Sequence, residues 1–198
     1  NELETQENRT APQFIVEIQN AATKFNKQSY SSLMNFEEEA GHAVELLMQN
    51  KFAVEIAQQN PQSVKRAVIK VAAIGLTLNK ALSYAYLVPR DNQICLDISY
   101  KGLVKLATDS GAIKWAKAEL VKENDTFKFN GIASEPVHEM EPFGDRGEVV
   151  GVYCVAKTAD GDFLTDTMSM DDIKEVQATS KAKSGPWQTF FGEMAKKT

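Results

Sequence analysis

The chain has 198 residues, 43% apolar and 25% charged, with a formal net charge of −5 and a pI near 5.2. That is globular composition with enough length for one sizeable core, and no apolar run approaches the roughly 20 residues that span a bilayer. There is no signal-peptide hydrophobic region, and Cys95 and Cys154 stand alone in apolar, strand-like runs. The pair suits neither a disulfide framework nor a metal site, so buried thiols and a cytoplasmic location are expected.

Residues 1–10 are polar and acidic and are expected to be disordered. Phe14, Ile18, Ala21 and Phe25 share the spacing of one helical face, predicting a helix over 11–25. Asn35 is a plausible cap, with Glu38 at the capping-box position, for a helix burying Phe36, Ala40, Val44 and Leu47. A short helix over 52–58 follows. Asn60-Pro61 then opens another that buries Val64, Ala67, Val68 and Val71 and stops near Gly75.

The period changes at Leu82. Leu82, Tyr84, Tyr86 and Val88 alternate with smaller residues, as do Ile94, Leu96 and Ile98 with their neighbours. Pro89-Arg90-Asp91-Asn92 between them predicts a β-hairpin with a charged tip. A helix from Tyr100 to Ser110, closed by Gly111, comes next. Strands are expected over 113–123, 126–129, 149–158 and 163–170, with Asp160-Gly161 turning between the last two. Asp171 and Asp172 open a helix to about Ala178. A basic linker, 179–185, leads to a final helix starting at Pro186, with Trp187, Phe190, Phe191, Met194 and Ala195 on one face. Helices followed by antiparallel strands make the class α+β. The regions read as 1–10, a helical 11–75 and an α+β core 76–198, in one continuous domain.

Charge is segregated along this chain. Residues 65–118 carry nine Lys and Arg against three Asp and Glu, a net of +6, whereas residues 1–64 carry −5 and residues 119–198 carry −6. An anion-binding surface on an acidic protein has this pattern, although chance scatter of lysines accounts for charge alone equally well.

Three constellations carry chemistry. Lys101, Lys105 and Thr108 lie at i, i+4, i+7 on the face opposite Leu103, Leu106 and Ala107, the expected buried stripe. Tyr100-Lys101-Gly102 at a helix start joins amide N–H groups, a cation and a ring, with Gly102 permitting close backbone approach by a phosphodiester; a solvated face with a tolerated glycine fits as well. The hairpin sets Tyr84 and Tyr86 beside Lys80 and Arg90, the ingredients of single-strand binding, with one tyrosine or both alternatively filling the core. Lys181 and Lys183 sit in a small-residue loop able to order over a phosphate backbone, or to remain a solvated linker. His42 and His138 are solitary, Asp160-Gly161-Asp162 lacks the remaining ligands of a calcium loop, and there is no phosphate-binding loop, dinucleotide fingerprint or nucleophile elbow.

Gly75-Leu76 followed by Ala81-Leu82-Ser83-Tyr84-Ala85-Tyr86-Leu87-Val88-Pro89 resembles the "G-L … A-Y-L-x-P" signature of the RecT family of phage single-strand DNA annealing proteins. Ser99-Tyr100-Lys101-Gly102-Leu103 through Leu106-Ala107 to Ser110-Gly111 is similar to that family's "G-Y-[KR]-G … L-A … [ST]-G" helix. Gly185-Pro186-Trp187 with Glu193-Met194-Ala195-Lys196-Lys197-Thr198 resembles its "G-P-W … E-M-A-x-K-T" block. The three blocks fall in family order. Ser83 and Ser99 stand where the family has glycine, and Thr198 closes the sequence before the basic helix continuation and C-terminal tail of the family.

The resemblance implies a fold of the single-strand-annealing type and ATP-independent annealing of complementary strands in phage-style recombination inside a bacterial host cell. It implies rings or helical filaments on DNA, with single-stranded DNA, annealed duplex, a 5′–3′ exonuclease and a host single-strand-binding protein as partners. No cofactor is expected, and a magnesium requirement is left open. The resemblance implies DNA contacts at Lys80, Arg90, Lys101, Lys105, Lys181 and Lys183, and Tyr86, Tyr100, Lys114, Trp187 and Lys197 are expected beside them. Two other classes compete: a metal-dependent nuclease using Asp160, Asp162 and Asp166, and a self-assembling structural protein whose basic stripe meets its neighbour's acidic arm.

Overall fold

A computed structural model describes residues 11–30, 34–180 and 185–198. The expected disorder of residues 1–10 and the loop lysines Lys181 and Lys183 lie outside the described residues. The chain divides into two compact units, one reaching to Gly102 and one beginning at Leu103. The architecture is α+β, as the sequence predicts.

The first unit begins with α1 (Gln13–Gln19) and α2 (Ala22–Gln28). Periodicity predicts one helix here, but the chain breaks at Asn20-Ala21. The expected face survives that break, because Phe14, Ile18, Ala21 and Phe25 are all fully buried. α3 (Phe36–Met48) is capped by Asn35, whose side chain accepts from the amides of Glu37 and Glu38. It buries Ala43 in place of the expected Val44, and Glu39, where its carboxylate accepts the Leu78 amide at 2.8 Å. α4 (Lys51–Gln59) leads to α5 (Pro61–Ile74), which has Asn60 as cap, proline at its start and Gly75 as a left-handed cap with φ +70°.

The hairpin of β1 (Ala85–Arg90) and β2 (Gln93–Ile98) pairs Arg90 with Gln93 and Tyr86 with Asp97. Asp91 and Asn92 both have positive φ, giving the two-residue turn that matches strand twist. Pro89 therefore belongs to the strand rather than the turn. It pairs with Ile94 one step beyond the closing pair, a position where neither amide points into the ladder, so proline loses no bond. The outward amide of Ile94 donates to Ser63 Oγ at 2.9 Å, which stitches β2 to the start of α5. Ala85, Leu87 and Ile94 are buried on the face packed against the helices.

Ser83, just before β1, holds φ +55° with a side chain present. A left-handed non-glycine residue costs about 1 kcal/mol, part of which glycine would lose again to unfolded-chain entropy. Ser83→Gly is accordingly expected to stabilise the protein by roughly 0.5 kcal/mol in denaturant unfolding. A loss of stability would mean that the Ser83 hydroxyl, which donates to Lys80 O at 3.0 Å, matters more than the strain.

The helix α6 (Tyr100–Asp109) spans the boundary between units. The second unit is built on a three-stranded antiparallel sheet of order β3 (Ile113–Lys122), β6 (Val149–Thr158) and β7 (Phe163–Ser169). A separate hairpin joins β4 (Thr126–Lys128) to β5 (Val137–Glu139), a strand the sequence pattern does not show because only three residues pair. One sheet face carries Val121, Tyr153 and Val155, with Phe127 and Phe163 packed on them. The other carries Val152, against which α7 (Met170–Ala178) sets Ile173 and α9 (Phe191–Lys197) sets Ala195. Ser169 and Asp172 cap α7 reciprocally.

The single closing helix expected from Pro186 is two: α8 (Pro186–Thr189) and α9, separated at Phe190, which takes φ −132° and ψ +47°. Phe190 is exposed, so the expected continuous apolar face is interrupted. Cys154 is exposed as well and Cys95 half-buried, against the expectation of two buried thiols.

A polar cluster ties the second unit together. Asp125 has a fully buried side chain, and its carboxylate accepts from Arg146 Nε at 2.8 Å, Arg146 Nη2 at 2.7 Å and the Lys122 amide at 2.8 Å. His138 Nε2 lies 3.0 Å from the same carboxylate, and His138 Nδ1 lies 3.3 Å from the Tyr153 hydroxyl. Three chain segments, the turn from Lys122 to Asp125, β5 at His138 and the loop at Arg146, thus meet at one carboxylate, with the Phe127 ring closing over His138 and Tyr153. The Arg146 hydrogen bonds hold the Asp125 carboxyl well below the usual carboxylate range, against the opposing effect of burial.

Candidate nucleic-acid interface

The hairpin presents two unlike faces because side chains alternate along a strand. Away from the helices, Tyr86, Val88 and Arg90 line up opposite Asp97, Cys95 and Gln93. Tyr84 continues this row below the first paired residue. Both tyrosines are half-buried and neither is a core residue. Arg90 is largely exposed and 4.0 Å from Asp97, a distance at which an open ion pair contributes little. Lys80 lies in the turn before β1, exposed, and donates to Gln49 Oε1 at 3.0 Å.

The hairpin base is locked to the start of α6. Ser99 Oγ donates to Ser83 O at 2.6 Å and accepts from the Gly102 amide at 3.1 Å, which makes Ser99 the helix cap. The Ser99 amide donates to Tyr84 O at 2.9 Å. A Cβ on Gly102 would stand 2.3 Å from Tyr84 O and 2.8 Å from Ile98 Cγ2. Gly102 is thus required for packing of the chain on itself, and the close approach expected for a ligand backbone is taken by Tyr84. Tyr100 and Lys101 project from this joint, Tyr100 half-buried and Lys101 exposed. The row from Tyr84 at the base to Arg90 at the tip is about 20 Å long at the rise of an antiparallel strand.

Sequence reasoning misses Arg66. It reaches from α5 to donate to Gln93 Oε1 at 3.1 Å, across the ladder from Arg90, so the hairpin tip is flanked by two arginines. The only signal for it is its place at the edge of the basic segment.

Other expected contacts lie in the second unit. Lys105 is paired with Asp109 one turn along α6, which offsets its charge. Leu103 is 45% exposed and Leu106 half-buried, so the stripe expected to be buried is not. Lys114 is exposed at the start of β3. Trp187 is half-buried against the cluster of Val152, Ile173 and Ala195, with its ring tilted at 56° to that of Phe191 at 6.1 Å. Lys197 is half-buried in α9.

Asp160, Asp162 and Asp166 do not converge. Asp160 and Asp162 sit at the β6–β7 turn, Asp166 faces outward further along β7, and no group of three metal-ligating side chains occurs among the described residues. The nuclease alternative therefore loses its cluster.

The RecT family profile matches residues 37–198, covering the hairpin, α6 and the whole second unit. The chain belongs to the RecT family. It is similar to protein RecT of Escherichia coli strain K12, with 36% identity over 141 residues, 67% of this chain and 52% of that protein. It is also similar to the uncharacterized protein YqaK of Bacillus subtilis strain 168, with 25% identity over 189 residues, 92% of this chain and 66% of that protein. The chain spans about half to two thirds of the length of these curated relatives. RecT membership agrees with the three motif blocks, two of which form the hairpin base and its joint with α6. Among the described residues no helix is long and apolar enough to cross a membrane.

Proposed function

We propose that the chain binds single-stranded DNA along the outer face of the hairpin and the start of α6, and anneals complementary strands in homologous recombination without ATP. The observation that carries this reading is the rigid joint of Ser83, Tyr84, Ser99 and Gly102, which fixes Lys101 at one end of a tyrosine-bearing row whose other end holds Arg90 and Arg66. Cations spaced along such a row follow a phosphate backbone, and half-exposed rings between them accept bases.

Annealing needs no covalent step. Two polyanions must be neutralised enough to approach while their base edges stay open. A single copy with net charge −5 is a poor ligand for a polyanion. Side-by-side association would line up the basic segments and set acidic arms against neighbouring cations, giving a ring or helical filament as the working form. A 5′–3′ exonuclease supplying the strands and a host single-strand-binding protein occupying them are the partners this activity requires. The place of action is the cytoplasm of a bacterial cell.

Arg90→Ala and Lys101→Ala are each expected to weaken binding to dT and mixed-sequence oligonucleotides alike. Each should also lower the slope of log K against log salt by about 0.7. Fluorescence anisotropy at four or five salt concentrations measures both quantities. Loss confined to one base composition would instead indicate base readout. Strand pairing of two labelled complements without nucleotide tests the annealing step, and cleavage products under added divalent metal would overturn it.

A further inference from the structure

We propose that Trp115, at the open end of the second unit's sheet, is a stacking platform for a nucleobase, with Lys114, Lys117 and Lys157 holding the adjoining phosphates. The proposal rests on the reading that the chain binds single strands, and adds a contact surface that neither the hairpin nor the motif blocks contain.

Three observations carry it. The first is a β-bulge: Ile113 pairs with Thr158 and Trp115 with Lys157, leaving Lys114 as the extra, unpaired residue of β3. Such insertions re-aim side chains near the end of a strand, and here the bulge sends Ile113 and Trp115 to opposite faces. The second is a line of aromatic side chains. Phe127 packs on the Val121, Tyr153 and Val155 cluster, Phe163 packs on the same cluster, and Trp115 meets Phe163 edge-on at 6.2 Å. Phe163 is half-buried, but Trp115 at the end of the line remains 37% exposed. A large ring backed by a second ring and left open on one side is a rigid π surface.

The third observation is the charge around it. Lys157 lies between the two rings in the ladder and places Nζ 5.1 Å from the Phe163 centroid. Lys117, two residues along the same face from Trp115, is mostly exposed and 3.2 Å from Glu119, which Lys196 also approaches at 3.6 Å. Lys114 is exposed on the bulge itself. A π face ringed by cations fits an unpaired base with its phosphates, because stacking is indifferent to base identity and the cations follow the chain. A duplex offers no such free face.

The chain has two tryptophans, so Trp187→Phe leaves Trp115 as sole reporter. On titrating this variant with dT oligonucleotide, Trp115 emission should be quenched with the same midpoint as anisotropy of the labelled strand. Trp115→Leu should raise Kd by roughly 5- to 100-fold, whereas Trp115→Phe should stay near wild type. An abasic strand of equal length should bind wild type more weakly than dT, and Trp115→Leu should shrink that difference by the same factor. Unchanged emission at saturation overturns the platform, as does a leucine variant that still distinguishes abasic from dT as wild type does. Absence of any oligonucleotide binding by wild type overturns the proposed function with it, and is recognised separately in the anisotropy. Thermal melts of both Trp115 variants separate lost binding from lost folding.

Discussion

Asp125→Ala should cost about 3 to 5 kcal/mol of stability, more than any surface charge change in this protein. The carboxylate is fully buried and satisfies two Arg146 nitrogens, a backbone amide and His138. Its removal leaves a guanidinium that is only 22% exposed, and an almost wholly buried imidazole, facing a void. Because Arg146 holds the folded-state carboxyl below its unfolded value, the sign of the pH effect follows. The contribution is fully present above about pH 4 and is lost as pH falls towards the folded-state value. Denaturant unfolding of wild type between pH 6 and pH 2 should therefore decline more steeply than that of Asp125→Asn. Parallel profiles would show that the cluster is not the source of acid sensitivity.

Gly102→Ala should destabilise by about 2 kcal/mol, although alanine is the better helix former by roughly 1 kcal/mol. The competition is settled by what the new methyl meets. At 2.3 Å the obstacle is the Tyr84 carbonyl, a backbone atom that cannot rotate away, and Ile98 Cγ2 at 2.8 Å closes the other side. Gly41→Ala is the matched control: it lies within α3, with nothing within 4 Å of the added carbon. That change should stabilise, by up to about 1 kcal/mol. Opposite signs for the same substitution in two helices would be read directly from chemical unfolding. Gly102→Ala should also weaken oligonucleotide binding under conditions where the protein remains folded, because the hairpin base and Lys101 lose their fixed relation.

Much of this was legible in the residues. Val64, Ala67, Val68 and Val71 announce the buried face of α5 by their spacing, and β6 occupies the expected 149–158 because its apolar run is long and bounded by turns. The hairpin is legible from alternation, though its tip is narrower than composition suggests, because Pro89 sits where a strand tolerates it. Long-range packing was not legible. Gly102 looks like a concession to a ligand until Tyr84 is seen against it. Leu103 falls on an apolar stripe that local spacing alone predicts to be buried. Trp115 meets Phe163 across a long stretch of sequence, and only the register of β3 against β6 and β7 brings Lys157 and Phe163 to it. The Asp125 cluster draws on residues up to 28 positions from Asp125 itself, a separation no local pattern reports.

The position of β3 at the margin of its sheet has a consequence for handling the protein. A ten-residue strand with one side unmatched by another strand among the described residues is a template on which foreign chains can nucleate cross-β growth. Lys114, Lys117 and Lys122, with the local kink, act as gatekeepers there. Neutralising those lysines together should therefore bring turbidity and thioflavin-positive deposits on storage, whatever it does to DNA.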